Sequence, residues 1–414
     1  MLISIGFSPN LTREDAVKAA KMLFSQHAWY NKNGVEDLLE NLARTFDVDV
    51  NNIFPSISGR SATYDALKLF GVGEGDDVVM QAFNCVAVVN SILWTRATPV
   101  YADIKKETLN LDLDELKRKV TAKTKAIIVQ HTFGLPFDQM DDLMKFAKER
   151  GIYVIEDCAH ALGAKVNDRY VGTIADAGIF SFGRDKVVSS VFGGALYINS
   201  AHPDIVQKAQ ELYAQKQPVG RGWILKQLLH PVLSYISLQT YSFLSLGKLL
   251  HAGFQVLGLL SKATDEAEKS CGPMPNWIDK KYPGALATLA SFQLKALVDS
   301  NTRRGEIAKM YASAGIVSVQ QGVDNQDRIW LRYSVLAENP RKLINRYKRY
   351  GIVVGDWYDQ VVGPKEIDLS KTGYKQGATP VAEDVSAHVV NLPCYQRMSD
   401  VDVEKVIMVY KQKD

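Results

Sequence analysis

Two short stretches, VIEDCAHALGA (residues 154–164) and FSFGRDKVVSSVFGG (residues 180–194), set a carboxylate, Asp157, and an amine, Lys186, 29 residues apart at the ends of what read as two buried strands. A lysine can hold an aldehyde as a Schiff base, and a carboxylate beside a pyridine nitrogen keeps that ring protonated so that it accepts electrons. Together the two point to pyridoxal 5'-phosphate. Neither does so alone, because a lone lysine is ordinarily a surface residue and an aspartate after a strand is commonly a helix cap. A bare carboxylate after the apolar run YVIE is costly without a cationic partner, and a pyridinium nitrogen would be one. His160, three residues on, could bond the phenolic oxygen or the Schiff base; its case depends on Asp157. Ser181 could bond the phosphate while Lys186 reaches the aldehyde, and Gly193-Gly194 lets the backbone turn tightly nearby. The segment ISGRSATYDALKLF offers a phosphate cradle: Gly59 permits close approach, and Ser61 and Ala62 fall at a helix start whose free N–H groups favour an anion.

The elements that must hold these residues alternate. From about 52 to 200, strands at 78–80, 99–104, 126–129, 153–156, 179–182 and 195–198 are interleaved with helical patterns at 61–70, 86–95, 112–119 and 138–149. Such alternation predicts a mainly parallel sheet covered by helices on both faces, with ligands at the C-terminal strand ends. Two helices within 11–46 precede it, the first capped by Thr12. Long helices over 286–311 lead into a smaller C-terminal α+β lobe, with a strand at 330–336 and a last helix opening at Ser399 with Asp402 at capping-box spacing. The expected divisions are an N-terminal helical segment (1–50), a large α/β domain (51–215), an insertion (216–272) and connecting helices with the small lobe (273–414).

Composition sets the background. Forty-nine basic and 46 acidic residues give a net charge of +3, with no basic run to track a phosphate backbone, so a nucleic-acid partner is not expected. Four widely spaced cysteines suggest neither a metal site nor disulfides and fit a reducing cytoplasm. The N-terminal MLISIGFSPNLTRED lacks the pattern of a secretory signal, so the chain reads as the mature chain.

Residues 217–262 stand apart. No acidic residue occurs between Glu211 and Asp265, and 227–247 contains no Lys or Arg either. The length could just span a bilayer, but Pro231, Gln227, Gln239, Thr240, several serines and two tyrosines argue against it. Two readings remain. One is a helical hairpin packed on the protein or on a second subunit; the other is an interfacial element with Lys216, Arg221, Lys226, Lys248 and Lys262 facing anionic headgroups.

Taken together, SGRSATYDAL, GDDVVMQAFNCVAVVNSI, VIEDCAHALGA, FSFGRDK, ASFQLKALVDSNTRRGEIAKMY, GIVVGDWY and NLPCYQRMS resemble the DegT/DnrJ/EryC1/StrS family of sugar aminotransferases, within fold type I of the pyridoxal-phosphate enzymes. The resemblance implies a mainly parallel seven-stranded sheet and a homodimer with the site at the subunit interface. It implies Lys186 as the Schiff-base lysine, Asp157 at the ring nitrogen, His160 near the ring oxygen, and Gly59, Arg60, Ser61, Ala62 and Ser181 around the phosphate. It further implies ping-pong transfer from an amino donor, glutamate, to a nucleotide-linked keto-sugar for surface polysaccharide or antibiotic sugars. A lysine at 186 argues against the family's dehydratase branch. The chain departs from the family at several points. Where many members stack an aromatic residue on the ring, it has Cys85, with Phe83 two residues earlier on the same face at strand spacing; either could cover the ring. Lys281 weakly matches a cation donated across the dimer. The rivals are another fold type I activity, a lyase or desulfurase, disfavoured by Asp185 before the lysine, and a non-catalytic membrane-associated assembly protein of the same fold.

Overall fold

Near-continuous apolar runs such as KAIIV and YVIE suit strands buried on both faces, and they form the middle of one seven-stranded sheet. The computed structural model describes residues 2–6, 8–241, 246–320 and 327–412. Its sheet strands are β1 (Ile53–Ser56), β2 (Asp77–Gln81), β3 (Thr98–Ala102), β4 (Thr124–Gln130), β5 (Tyr153–Asp157), β6 (Ala177–Ser181) and β7 (Gly194–Ile198). Their spatial order is β1-β7-β6-β5-β4-β2-β3. Only β7 runs against its neighbours.

Alternation along each strand feeds two faces. Val78, Met80, Ile128, Ile155 and Ile179 pack with Ala62, Ala66 and Leu67 of the helix Gly59–Leu69. On the opposite face, Val79, Ile127, Val129 and Val154 pack with Leu113, Leu116, Met140 and Leu143, while Phe180, Ala195 and Tyr197 pack with Leu38 and Leu42 of the helix Asn33–Phe46. That helix lies close against the helix Gly284–Leu294: a Cβ on Gly34 would come within 2.5 Å of the Gly284 carbonyl oxygen.

The parallel direction brings the last residues of β1, β5 and β6, namely Ser56, Asp157 and Ser181, to one edge of the sheet. Because β7 is antiparallel, its first residue, Gly194, pairs there with both Ser56 and Ser181. Behind this edge His131 and Glu156 form a self-contained buried pair at 3.1 Å. Phe137 N–H donates to His131 Nδ1, and Ile174 and Ala175 N–H donate to the other Glu156 oxygen. These bonds tie the ends of β4 and β5 to the loops beyond them.

The C-terminal lobe pairs Tyr333–Leu336 with Val389–Leu392 over a core of Tyr311, Tyr347, Val403 and Val406. Its first strand starts three residues later than the apolar pattern suggested, because Trp330 stacks on Tyr333 and Leu331 N–H bonds Phe133 O instead of a strand partner. The chain's beginning is not confined to a leading helical segment: Ile3–Ser4 pairs in parallel with Ile352–Val353 of this lobe.

The insertion folds as the helices Arg221–Thr240 and Leu246–Val256, followed by the short helix Glu266–Lys269. The first buries Ile224, Leu228, His230, Pro231, Ser234 and Leu238 against the protein, including the helix Arg13–Leu23. The second leaves Leu249 exposed, as are Val256 at its end and Leu257 just beyond. Among the described residues no helix is long and apolar enough to cross a membrane.

Candidate active site

At the sheet edge Ser181 ends β6, and the chain then turns through 182–193 before returning as β7. Phe182 N–H bonds Gly193 O at 2.8 Å and Ser190 N–H bonds Phe182 O at 3.0 Å, which closes the turn at its base. Lys186 rides on this loop, half-buried, with its backbone N–H on Gly183 O at 3.1 Å. Its amine makes no hydrogen bond or ion pair among the described residues. Several outside groups hold the loop: Asn10 Nδ2 donates to the Lys186 and Val187 carbonyls, Gln293 Oε1 accepts from Ser189 N–H, Arg332 pairs with Asp185, Arg184 bonds Ser261 Oγ and Lys262 O, and the Ser190 hydroxyl bonds that of Tyr282. Asn10 is held in turn by buried Arg304, at 2.8 Å. No local pattern in the sequence singles out Asn10 or Arg332; only the fold reveals them.

The buried Asp157 carboxylate accepts a single hydrogen bond among the described residues, from Ala159 N–H at 3.0 Å. Burial pushes its carboxyl above the usual range, against the pull of that N–H, Lys186 and His131. A buried carboxylate with so little compensation suits a cationic nitrogen at its open side. His160 is neutral, because burial and then Lys186 hold its imidazole well below the ordinary value. Its Nδ1 accepts from Phe133 N–H and its Nε2 faces the Tyr358 hydroxyl, both at 3.4 Å, with the ring stacked on Phe133. A bond from His160 to a ligand would exchange one of these two long contacts.

The helix Gly59–Leu69 begins two residues earlier than the pattern suggested, because Ser58 caps it through the Ser61 N–H. Ser61 and Ala62 therefore lie inside its first turn, and Ala62 N–H already bonds Ser58 O. The N–H groups of Gly59 and Arg60 find no acceptor among the described residues, and neither does the Ser181 hydroxyl. Gly59 and Ser181 meet closely enough that a Cβ on Gly59 would sit 2.9 Å from Ser181 Cβ. The side chains of Arg60 and Ser61 are occupied: Arg60 pairs with Glu268 and bonds Ala263 O, and Ser61 donates to Ile278 O. The segment 261–278 thus covers the cradle.

Phe83 and Cys85 do not share a strand face. Phe83 has φ +60°, which breaks the strand between Gln81 and Asn84, and its ring is buried edge-on to Phe133 and Tyr358. Cys85 stays partly exposed, in the field of Arg60, Lys186 and Asp185, with burial raising its thiol. Lys281 has its backbone bridged to Ser56 and its N–H on Gln217 O at 2.8 Å, with an exposed side chain.

Among the described residues, the open polar atoms at this sheet end include one carboxylate, one amine, one hydroxyl and two helix-start N–H groups. That donor set fits pyridoxal phosphate: anion donors at the helix start and Ser181, an amine for the aldehyde, and a buried carboxylate for the ring nitrogen.

Comparison with known proteins agrees. The model of the DegT/DnrJ/EryC1/StrS aminotransferase family matches residues 11–221 and 281–410. The chain belongs to this family. The unmatched stretch between those ranges holds the insertion helices, save the first residue of the first one. GDP-perosamine synthase of Escherichia coli O157:H7 is 39% identical over 142 residues, which is 34% of this chain and 39% of that protein, so less than half of that relative is aligned. The spore coat polysaccharide biosynthesis protein SpsC of Bacillus subtilis is 29% identical over 359 residues, 84% of this chain and 81% of SpsC. The structure of the aminotransferase TlmJ from Streptoalloteichus hindustanus superposes with a TM-score of 0.74 at 24% identity, over 99% of this chain and 98% of that one. The shared architecture is that of fold type I.

Proposed function

We propose that this family member is a pyridoxal-phosphate-dependent aminotransferase that moves an amino group from an amino acid, glutamate, to a nucleotide-linked keto-sugar. The product would serve polysaccharide or amino-sugar biosynthesis. What carries the reading is the convergence of an unpaired Lys186 amine, the buried Asp157 carboxylate and the Ser181 hydroxyl on one sheet edge. The name of the perosamine synthase relative, a GDP-linked amino sugar, supports the sugar as acceptor.

When bound, pyridoxal phosphate supplies an aldehyde for an amine and a ring that takes up electrons. Gly59 and Arg60 N–H, at the positive end of a helix, would hold the phosphate with Ser181. Asp157 would keep the ring nitrogen protonated. Lys186 would bind the aldehyde, and once displaced by the donor its Nζ would take the proton from the donor Cα and return it on the other side of the transfer. His160, neutral, can orient a neighbouring oxygen without adding charge.

The purified protein is expected to be yellow, with a visible band that shifts on adding glutamate and is absent from Lys186→Ala after dialysis. A colourless protein indifferent to added pyridoxal phosphate would refute the reading.

We further propose a cytoplasmic homodimer with the site at the subunit interface, whose insertion touches the anionic inner face of the membrane. Exposed Leu249, Val256 and Leu257 beside Lys248, in a stretch lacking acidic residues from 212 to 264, support the membrane contact. The protein should co-sediment with vesicles rich in phosphatidylglycerol and not with neutral ones, and the triple variant Leu249→Ser, Val256→Ser, Leu257→Ser should stay in the supernatant. Equal sedimentation with both vesicle types would end this reading. Light scattering tests the dimer, which a monomer mass would exclude.

A further inference from the structure

The segment 261–278, at the end of the insertion, is fastened unevenly. Leu260 and Ile278 are buried at its two ends, and between them Glu268 is the only buried residue, its side chain 1% exposed. A carboxylate is an unusual anchor, since it is costly inside a protein unless paired. Both of its oxygens are used: Oε1 pairs with Arg60 of the helix Gly59–Leu69, and Oε2 accepts from Asp265 N–H at 3.0 Å within the segment itself. The Glu268 carbonyl is tied as well, accepting from Asn90 Nδ2 at 2.8 Å.

These ties lay the segment across the phosphate cradle. At one end Arg184 of the Lys186 loop donates to Ser261 Oγ at 2.6 Å and to Lys262 O at 3.0 Å; at the other Ser61 donates to Ile278 O. Between them Arg60 bonds Ala263 O at 2.8 Å, and the Trp277 ring stands edge-on to Phe192 of the Lys186 loop, 5.2 Å between centres. The segment therefore bridges two walls, the cradle helix and the lysine loop, near which the Gly59 and Arg60 N–H groups and the Ser181 hydroxyl stand open for an anion. Arg60–Glu268 is its only ion pair to either wall among the described residues. The helix Glu266–Lys269 that carries the carboxylate is a single turn, too short to hold itself.

We propose that 261–278 is a strap over the anion cradle and that Glu268, a positioning residue, latches it to Arg60, so that a phosphorylated ligand enters and leaves only while the latch is open. The inference rests on the cradle of the function proposed above and adds the means by which that cradle is closed. Because one opening both admits and releases the ligand, loosening the latch speeds the two directions alike and leaves the affinity where it was. A carboxylate acting through charge alone would behave otherwise: its loss would free Arg60 for the phosphate and tighten binding.

Glu268→Gln keeps the shape and the acceptor for Asp265 N–H and removes the charge. In unloaded protein, the amides of 268–272, which bond within the strap, should exchange with deuterium about tenfold faster in this variant, as loss of one bond between charged groups implies, while those of the sheet stay unchanged. With pyridoxal phosphate added, the association and dissociation rates read from the visible band should both rise about tenfold, their ratio kept. Inorganic phosphate, followed by its 31P linewidth with unloaded protein, should show the same shortened residence at unaltered affinity. Asn90→Ala, which removes the tie to the Glu268 carbonyl, should move all three readouts the same way by less, and it decides if Glu268→Gln does not fold. Faster amide exchange with unchanged ligand rates would make the segment a scaffold and overturn the proposal, as would unchanged amide exchange or an altered ratio of the rates. Absence of the visible band with the phosphate readout as expected would instead overturn the cofactor reading and leave the strap standing.

Discussion

At the scale of single residues, the site leaves a few polar atoms open where a ligand would complete them. Asp157 shows this most clearly, since a carboxylate raised by burial has a reason to be there only when a cation completes it. Asp157→Asn keeps the shape and removes that charge. Transamination should fall by about 10²- to 10⁴-fold while the visible band still forms, which stopped-flow absorbance with glutamate would measure. An unchanged rate would remove Asp157 from the ring nitrogen. The motif residues were legible because their chemistry is carried locally: a strand end, a glycine, a lysine five residues past a serine. Asn10 and Arg332 were not, because each reaches the site from more than a hundred residues away with nothing in its own neighbourhood to mark it, and although Tyr358 ends the stretch GIVVGDWY, its place against His160 comes only from the fold. Arg60 and Ser61 show the reverse limit, since a pattern that names a cradle cannot show that Glu268 and Ile278 already hold two of its side chains.

Among the elements, strand alternation made the sheet readable, because two covered faces impose the same apolar run on β4, β5 and β6. It misled at Phe83, where one left-handed residue cancels the two-residue periodicity. The insertion was visible as an acid-free stretch, and a hairpin packed on the protein was one of its two readings, but the face that docks was not legible, since burial of Gln227, His230 and Ser234 on one helix has no clean apolar signature. His230 carries a measurable consequence. Burial, then Arg184 and His251, hold its imidazole well below the ordinary value, and Nε2 faces Ser8 Oγ at 3.2 Å. In the unfolded chain the ring takes a proton as pH drops through about 6.5, so the unfolded state binds more protons and stability falls with pH. Urea unfolding at pH 7 and pH 5.5 should show that loss, and His230→Gln should narrow the gap between the two curves. An undiminished gap would mean that other groups carry the acid sensitivity.

For the whole molecule, the large α/β unit and the small lobe were both apparent from alternation, whereas the way they are stitched together was not. The chain's first residues close the structure: Ile3–Ser4 lies along Ile352–Val353, and Asn10 bridges the lysine loop to Arg304, which itself bonds the carbonyl of Cys394. Residues that precede the large domain therefore find partners only after it is made. At translation rates of about 5–20 residues per second, the opening segment waits on the order of tens of seconds on the ribosome before its strand partner emerges. During that wait the lysine loop lacks its asparagine clasp and Asp185 lacks its arginine. A nascent chain carrying every motif of the large domain would thus still be an unfinished catalyst, and the emergence of the C-terminal lobe, rather than completion of the sheet, would mark when the lysine loop is first held in place.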